Sequence, residues 1–240
     1  MCWKECIHVN RRTNQEQHYL DNYDASGFDR PLVSVDVVIL TLREKHLEAL
    51  LVKRKEHPFL NYWSLPGGFV QAHESLDEAA ARVLRQKAGL EGVVGFEREG
   101  ATPHPIYLEQ LYTFGSPERD PRRRVISVAY YALVEASHIR EINEERVLFQ
   151  LRIPEGQSSV EIFDNKHKKY SLAFDHAEIL GVTIKRIRGK LGYTTIGFEL
   201  LPERFTLRQL QTVHETILQN KLNKDSFRRK MLASGMLEAT

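Results

Sequence analysis

Cysteine is nearly absent from this 240-residue chain, and the two that occur, Cys2 and Cys6, sit together at its start, where a disulfide would close only a trivial loop. A disulfide framework is therefore not expected, and no Cys/His cluster elsewhere has the spacing of a zinc site. Long apolar runs are missing too. The longest, Val37-Val38-Ile39-Leu40, is far below the ~20 residues that span a bilayer. The first 30 residues also lack the apolar stretch of a signal peptide, so a soluble, cytoplasmic protein is expected. Nor is there an excess of charge of one sign: 34 Lys and Arg face 32 Asp and Glu, for a net charge of +2. Repeats and low-complexity tracts are absent. What remains is a globular composition, 42% hydrophobic, long enough for one large domain or two modest ones.

The near-neutral sum hides two unlike parts. Residues 185–230 hold 11 Lys and Arg against 4 Asp and Glu, a surplus of seven positive charges, and the rest of the chain is acidic. A nucleic-acid partner is thus not excluded by net charge.

Residues 1–30, with Asn10-Arg11-Arg12-Thr13-Asn14-Gln15, read as a loosely held polar arm. From Pro31 the texture changes. Val33 to Leu40 is β-branched and partly alternating, and Leu47 to Arg54 reads as its partner strand. A loop with Pro58, Pro66, Gly67 and Gly68 leads to a helix that starts near Ser75. There Ser75 and Glu78 form a capping box, and Gly89 ends the helix. Leu108 to Phe114, Val125 to Val134, Arg146 to Ile153 and Val160 to Phe163 read as further strands, and His176 to Lys190 as a helix. Strands with so few helices predict an α/β or α+β domain that is not doubly wound. After Gly192, Thr206 and Gln209 form a second capping box ahead of a helix ending near Gln219. Asn223 then caps another helix through Leu232, which is helix-turn-helix spacing.

One constellation carries most of the information. Gly68, five residues, Glu74, seven residues, Arg82, then Leu84, Gly89 and Leu90 follow the frame G-x5-E-x7-R-E-U-x-E-E-x-G-U, in which U is a bulky aliphatic residue. This frame, with Trp63 to Val70 ahead of it, resembles the Nudix box. Active Nudix hydrolases place glutamates where this chain has Val83, Gln86 and Lys87. At helical spacing those positions share one face, where three carboxylates could hold Mg²⁺; here the face has no carboxylate and one ammonium. A hard cation would lose its ligands there, and metal-assisted hydrolysis is expected to be absent or vestigial, with no metal or cofactor required. Val83 is read as core packing, and Lys87 either as a solvated cation or as an attractor of a ligand diphosphate.

Beyond the box, the chain carries Leu108 to Phe114, Arg119-Asp120-Pro121-Arg122, Leu172-Ala173-Phe174-Asp175-His176 and Glu199 to Pro202 with Phe205-Thr206-Leu207. With these segments it resembles the NrtR family of Nudix-related regulators of NAD metabolism from about residue 30 to 232. The resemblance implies an α/β/α Nudix sandwich with a mixed sheet over 31–192 and a winged-helix domain over 193–240. It also implies a homodimeric repressor of NAD biosynthesis or salvage genes that leaves a palindromic operator when ADP-ribose or a related nucleotide binds. The rival reading is an active ADP-ribose pyrophosphohydrolase using Glu74, Asp77 and Glu78 as metal ligands. A second rival is a nucleotide-binding module whose C-terminal helices only make a dimer.

For the nucleotide, Gly67, Gly68, the start of the following helix and Arg54 are the expected phosphate donors, with Arg82 and Lys87 as further cations. Phe69 and Tyr112 are candidate adenine platforms and Glu109 a ribose acceptor, with ordinary packing as the alternative for the two aromatics. Arg119 and Arg122 either reach the ligand or brace a loop. For DNA, Phe227 and Met231 should face inward, leaving Lys224, Ser226, Arg228, Arg229 and Lys230 outward, joined by Arg208 from the preceding helix. Only eight residues follow Leu232, so the β-hairpin wing of the family is expected to be short or missing.

Overall fold

In the computed structural model, residues 14–24, 26–90, 106–139, 142–154 and 160–237 are described. Contacts divide the chain into two units, Met1–Pro31 and Leu32–Thr240. The first contains helix α1 (Asn14–Asp21), so the segment read as a polar arm has two helical turns of its own. The expectations for Cys2, Cys6 and the rest of residues 1–13 lie outside the described residues.

The second unit is built on one mixed sheet. Its strands are β1 (Leu32–Arg43), β2 (His46–Lys53), β3 (Trp63–Ser64), β4 (Gly67–Phe69), β5 (Tyr107–Phe114), β6 (Val125–Leu133), β7 (Arg146–Arg152), β8 (Glu161–Phe163) and β9 (Lys169–Tyr170). The order is β5-β6-β1-β2-β7-β8-β9, with β3 on β2 and β4 on β1. β1 runs parallel to β6 and antiparallel to β2 and β4. The sequence pattern locates the long strands to within a residue at each end, except that β1 runs three residues past Leu40. The two- and three-residue strands β3, β4 and β9 leave no periodicity to read.

β1 shows why both faces are covered. Val35, Val37 and Ile39 pack with Ala80, Val83 and Leu84 of α2 (Leu76–Val83) and its extension. Val38 and Leu40 face the other way, onto Ile179, Leu180 and Ile184 of α3 (His176–Lys190). Helices on the two faces make the α/β/α sandwich. α2 opens on the Ser75–Glu78 capping box and continues as a π-helical turn, Leu84–Ala88. Gly89 closes it at φ 69°, a left-handed conformation that suits glycine. This turn begins after Val83, which keeps its α-helical place on the inward face with Ala79, Ala80 and Leu84. Val83 turns into the core at 1% exposure, and Gln86 and Lys87 stay outside. Positions 83, 86 and 87 therefore do not form one outward face.

α4 (Leu207–Leu218) and α5 (Lys224–Ala233) follow a short 3-10 turn at Ile196–Leu200. Both expected N-caps form: Thr206 with Gln209, and Asn223 accepting from the Ser226 N–H. α4 serves two cores. Val213 and Ile217 pack with Ile184, Ile187 and Leu191 of the α3 layer, and Leu210 packs with Phe227 and Met231 of α5. Arg188 of α3 secures the joint, donating from Nε to the Ile217 carbonyl at 2.7 Å and from Nη2 to Gln219 Oε1 at 2.9 Å. A guanidinium on the free carbonyls of a helix end is both a cap and a favourable dipole partner. Among the described residues no strand follows α5.

Candidate functional site: a cationic cleft and a basic helix

A cleft of about 610 Å³ opens at the β1, β4 and α3 N-terminal edge of the sheet. Its floor is Asp36, the one charged residue in the buried stretch of β1. Asp36 points to the α3 side and accepts from Ser127 Oγ at 2.5 Å, and Arg119 Nη2 lies 3.4 Å away. Arg119 also grips Asp175 with both arms, from Nε at 2.8 Å and Nη2 at 2.7 Å. Next to them, His176 Nδ1 accepts the Leu65 N–H at 2.9 Å, which leaves Nε2 to carry the proton of the neutral ring, 3.7 Å from Asp36. Burial holds the His176 pKa below its ordinary value, although Asp36 and Asp175 pull it the other way.

The loop above this floor is shaped by one close approach. β4 pairs with β1 so that Gly67 lies opposite Asp36. A Cβ on Gly67 would stand 2.1 Å from Asp36 Oδ1, whereas one on Gly68 would meet nothing nearer than 3.7 Å. Gly67, outside the strict frame of the box, is thus the glycine that this backbone needs.

The cleft wall is cationic and aromatic. Arg54 lies 4.7 Å over the Phe174 ring, and Arg122 lies 5.9 Å from the same ring and 5.7 Å from Phe69. Arg54 is anchored by Nε to the Pro58 carbonyl at 2.8 Å. Arg122 is anchored on Asp120 at 3.0 and 2.7 Å. Burial first, and then the neighbouring Arg122, lower the Arg54 pKa, so two guanidiniums share a space where an anion would relieve their repulsion. Gln86 and Lys87 close the opposite side. Phe69 is 44% exposed, an open ring at the mouth.

Of the residues expected to meet a nucleotide, Arg54, Gly67, Gly68, Phe69, Lys87, Arg119 and Arg122 converge here. Three do not. Arg82 is spent inside the loop, bound to Glu74 at 2.8 and 2.6 Å and to the Phe69 carbonyl at 2.9 Å, so it braces the turn and holds the Glu74 carboxyl down to about 2. Glu109 lies on β5 in a cluster with Lys190, Arg186 and Tyr107, where it ties β5 to α3 and does not line the cleft. Tyr112 is on the edge strand, 60% exposed and packed edge-on against Phe114, also away from the cleft. At the start of α2 the capping box takes up the Ser75 and Glu78 N–H groups, and none of the residues of its first turn lines the cleft. Sequence reasoning missed Asp36, Asp120, Phe174 and His176 as cleft residues. The isolated acid in an apolar strand was a readable signal for Asp36, and Asp120, Phe174 and His176 stand in segments that carry the family resemblance.

The residues present do not fit a divalent cation. Val83 is buried and apolar, Gln86 is an amide and Lys87 is a cation. The three carboxylates of the rival reading are committed elsewhere: Glu74 to Arg82, Glu78 to the helix cap, and Asp77 to the Tyr130 hydroxyl at 2.6 Å. Among the described residues no three His, Cys, Asp or Glu side chains are placed to hold a metal.

On α5, Phe227 and Met231 are buried as expected, and Lys224, Ser226, Arg228, Arg229 and Lys230 are exposed together with Arg208 of α4. No helix among the described residues is long and apolar enough to cross a membrane.

Fold and cleft define a Nudix domain, here followed by the helix pair α4 and α5. A model of the NUDIX domain matches residues 30–152, and one of the NrtR DNA-binding winged helix domain matches residues 197–240. The "ADPR responsive transcriptional repressor NtrR" of Acinetobacter baylyi is 33% identical over 229 residues, covering 95% of this chain and 82% of that protein. The crystal structure of Shewanella oneidensis NrtR matches with a TM-score of 0.68 at 30% identity, over 87% of this chain and 88% of that one. The same protein complexed with a 27mer DNA matches with a TM-score of 0.65, at the same identity and coverage. The chain belongs to the NrtR family.

Proposed function

We propose that this protein is a ligand-responsive transcriptional repressor whose α5 reads operator DNA and whose cleft binds ADP-ribose or a related nucleotide without cleaving it. The observation that carries this reading is the placement of α3. Its first residue, His176, lines the cleft, and Arg188 near its other end grips the reader through Ile217 and Gln219. One rigid helix of 15 residues, about 22 Å long, thus joins the two sites.

In the cleft, Arg54, Arg122 and Lys87 provide cations for a diphosphate, and Phe69 and Phe174 provide faces for a base. Arg119 and Asp36 hold those walls in place. The chemistry stops at binding, since the positions that would carry metal carboxylates hold Val83, Gln86 and Lys87. No metal or cofactor is then needed. Release follows if the nucleotide prefers the α3 arrangement in which the reader is misplaced; equal affinity for both arrangements would release nothing. On DNA, a homodimer presenting two readers suits a palindromic operator of NAD-metabolism genes. Such a regulator acts in the cytoplasm.

The test is a DNA-binding assay on the region upstream of the protein's own gene, with ADP-ribose, NAD and ATP titrated separately. ADP-ribose is expected to dissociate the complex in the absence of divalent metal. Robust Mg²⁺-dependent release of AMP from ADP-ribose would overturn the reading in favour of a hydrolase.

A further inference from the structure

A basic turn stands at the edge of the sheet, one strand from the Arg152 that lines a crevice shared with α4 and α5. β8 and β9 form a hairpin whose tip exposes Lys166, His167 and Lys168. The tip is held in shape by Asp164, whose Oδ1 accepts the N–H groups of Lys166 at 2.9 Å and Lys168 at 2.8 Å. The acid of the turn is therefore committed to the backbone, and neither lysine makes an ion pair among the described residues. Arg152, on the adjacent β7, stacks 4.3 Å over Phe163 of β8 and lies 3.4 Å from His167. The same Arg152 lines a crevice of about 810 Å³ whose other wall carries Arg208, Lys224 and Arg228. Glu215, the only acid lining that crevice among the described residues, is occupied by the Leu222 N–H, Gln211 and Lys221. Positive charge thus runs from the hairpin tip through Arg152 to the reader helix.

We propose that the β8–β9 hairpin is a second DNA-binding element, in which Lys166 and Lys168 grip backbone phosphates flanking the groove entered by α5. The inference rests on the reading of this chain as a DNA-binding protein. Duplex DNA is stiff and presents a negative charge about every 1.7 Å of its axis, so a duplex seated on α5 runs on over the neighbouring surface. A lysine there contributes position and affinity and carries no sequence information. Arg152 joins the two elements, stacked on Phe163 and beside His167 while it lines the crevice.

The experiment compares the full-length protein with the Lys166→Ala/Lys168→Ala variant on two duplexes, one carrying the upstream region of its own gene and one of mixed sequence. The variant is expected to bind both more weakly by the same factor. Its slope of log affinity against log salt should be shallower by about 1.8, because each phosphate that a lysine neutralises adds about 0.9 to the slope. The ratio between the two duplexes should be unchanged, and Lys166→Arg/Lys168→Arg should restore the slope. If wild-type protein binds neither duplex, the repressor reading itself fails. If wild type binds and the alanine variant, with an unchanged melting temperature, keeps both affinity and slope, the role of the hairpin is overturned while the repressor reading stands.

Discussion

Arg119 and Asp175 form a two-armed ion pair, with guanidinium nitrogens 2.8 and 2.7 Å from the carboxylate. Asp175 stands at the N-cap of α3, yet its side chain caps no N–H of that helix. It is turned instead to the loop between β5 and β6, so the start of α3 is pinned to the wall of the cleft. The same helix holds the end of α4 through Arg188, which donates to the Ile217 carbonyl and Gln219.

Arg119→Ala leaves Asp36 and Asp175 without their shared cation in a buried setting. Breaking a buried pair from one side typically costs about 3–5 kcal/mol. The variant should show that loss in denaturant titration, and ADP-ribose should no longer release DNA from the protein that remains folded. A loss below about 1 kcal/mol would mark the pair as dispensable, on the scale of an exposed salt bridge.

Gly67→Ala and Gly68→Ala should behave differently although they are neighbours. The first drives a methyl group to 2.1 Å from Asp36 Oδ1, and the second has 3.7 Å of room. Overpacking of this kind costs about 1–3 kcal/mol, so Gly67→Ala should lower the unfolding midpoint and Gly68→Ala should shift it little. Equal midpoints for the two variants would contradict the β4 register.

Acid should weaken the reader. His214 on α4 is buried against Phe227, and burial, helped by Lys230, lowers its pKa to about 4. An unfolded chain takes up that proton near pH 6.5, so stability is complete above about pH 6.5 and falls as pH drops towards 4, by up to about 3 kcal/mol. Buried His176, also lowered, acts in the same direction. Stability measured against pH should flatten in this window for His214→Leu; an unaltered curve would assign the acid sensitivity elsewhere.

Arg228→Ala and Arg229→Ala should relax sequence discrimination, since an arginine bonded to a guanine edge is worth about 1–3 kcal/mol. Lys224→Ala should instead weaken operator and mixed-sequence DNA alike. Competition assays at fixed salt separate the two patterns. Specific binding that survives both arginine changes would exclude α5 as the reader.

Much of this molecule was legible in the chain itself. The β-branched runs set the long strands, because alternating side chains demand a covered face. The capping boxes at Ser75 and Thr206 and the asparagine at 223 marked helix starts, because a helix end must satisfy its own donors. Spacing alone also put Phe227 and Met231 inside and the cations of α5 outside. These are short-range matters, decided within a few residues.

What the tertiary structure decided is who meets whom. Asp36, Arg119 and His176 are separated by dozens of residues and share one site only because β1 is central, β4 folds back on it and α3 begins at its edge. Glu109 and Tyr112 left the expected site for the same reason: their strand lies at the far edge of the sheet, where Lys190 and Arg186 offer Glu109 a nearer partner. Val83 lies inward with Ala79, Ala80 and Leu84, as α-helical spacing predicts, and the π-helical turn begins only after it. Local spacing specifies which residues lie on the same side of an element. Only packing, which trades burial against charge pairing across the whole chain, specifies which sides face each other.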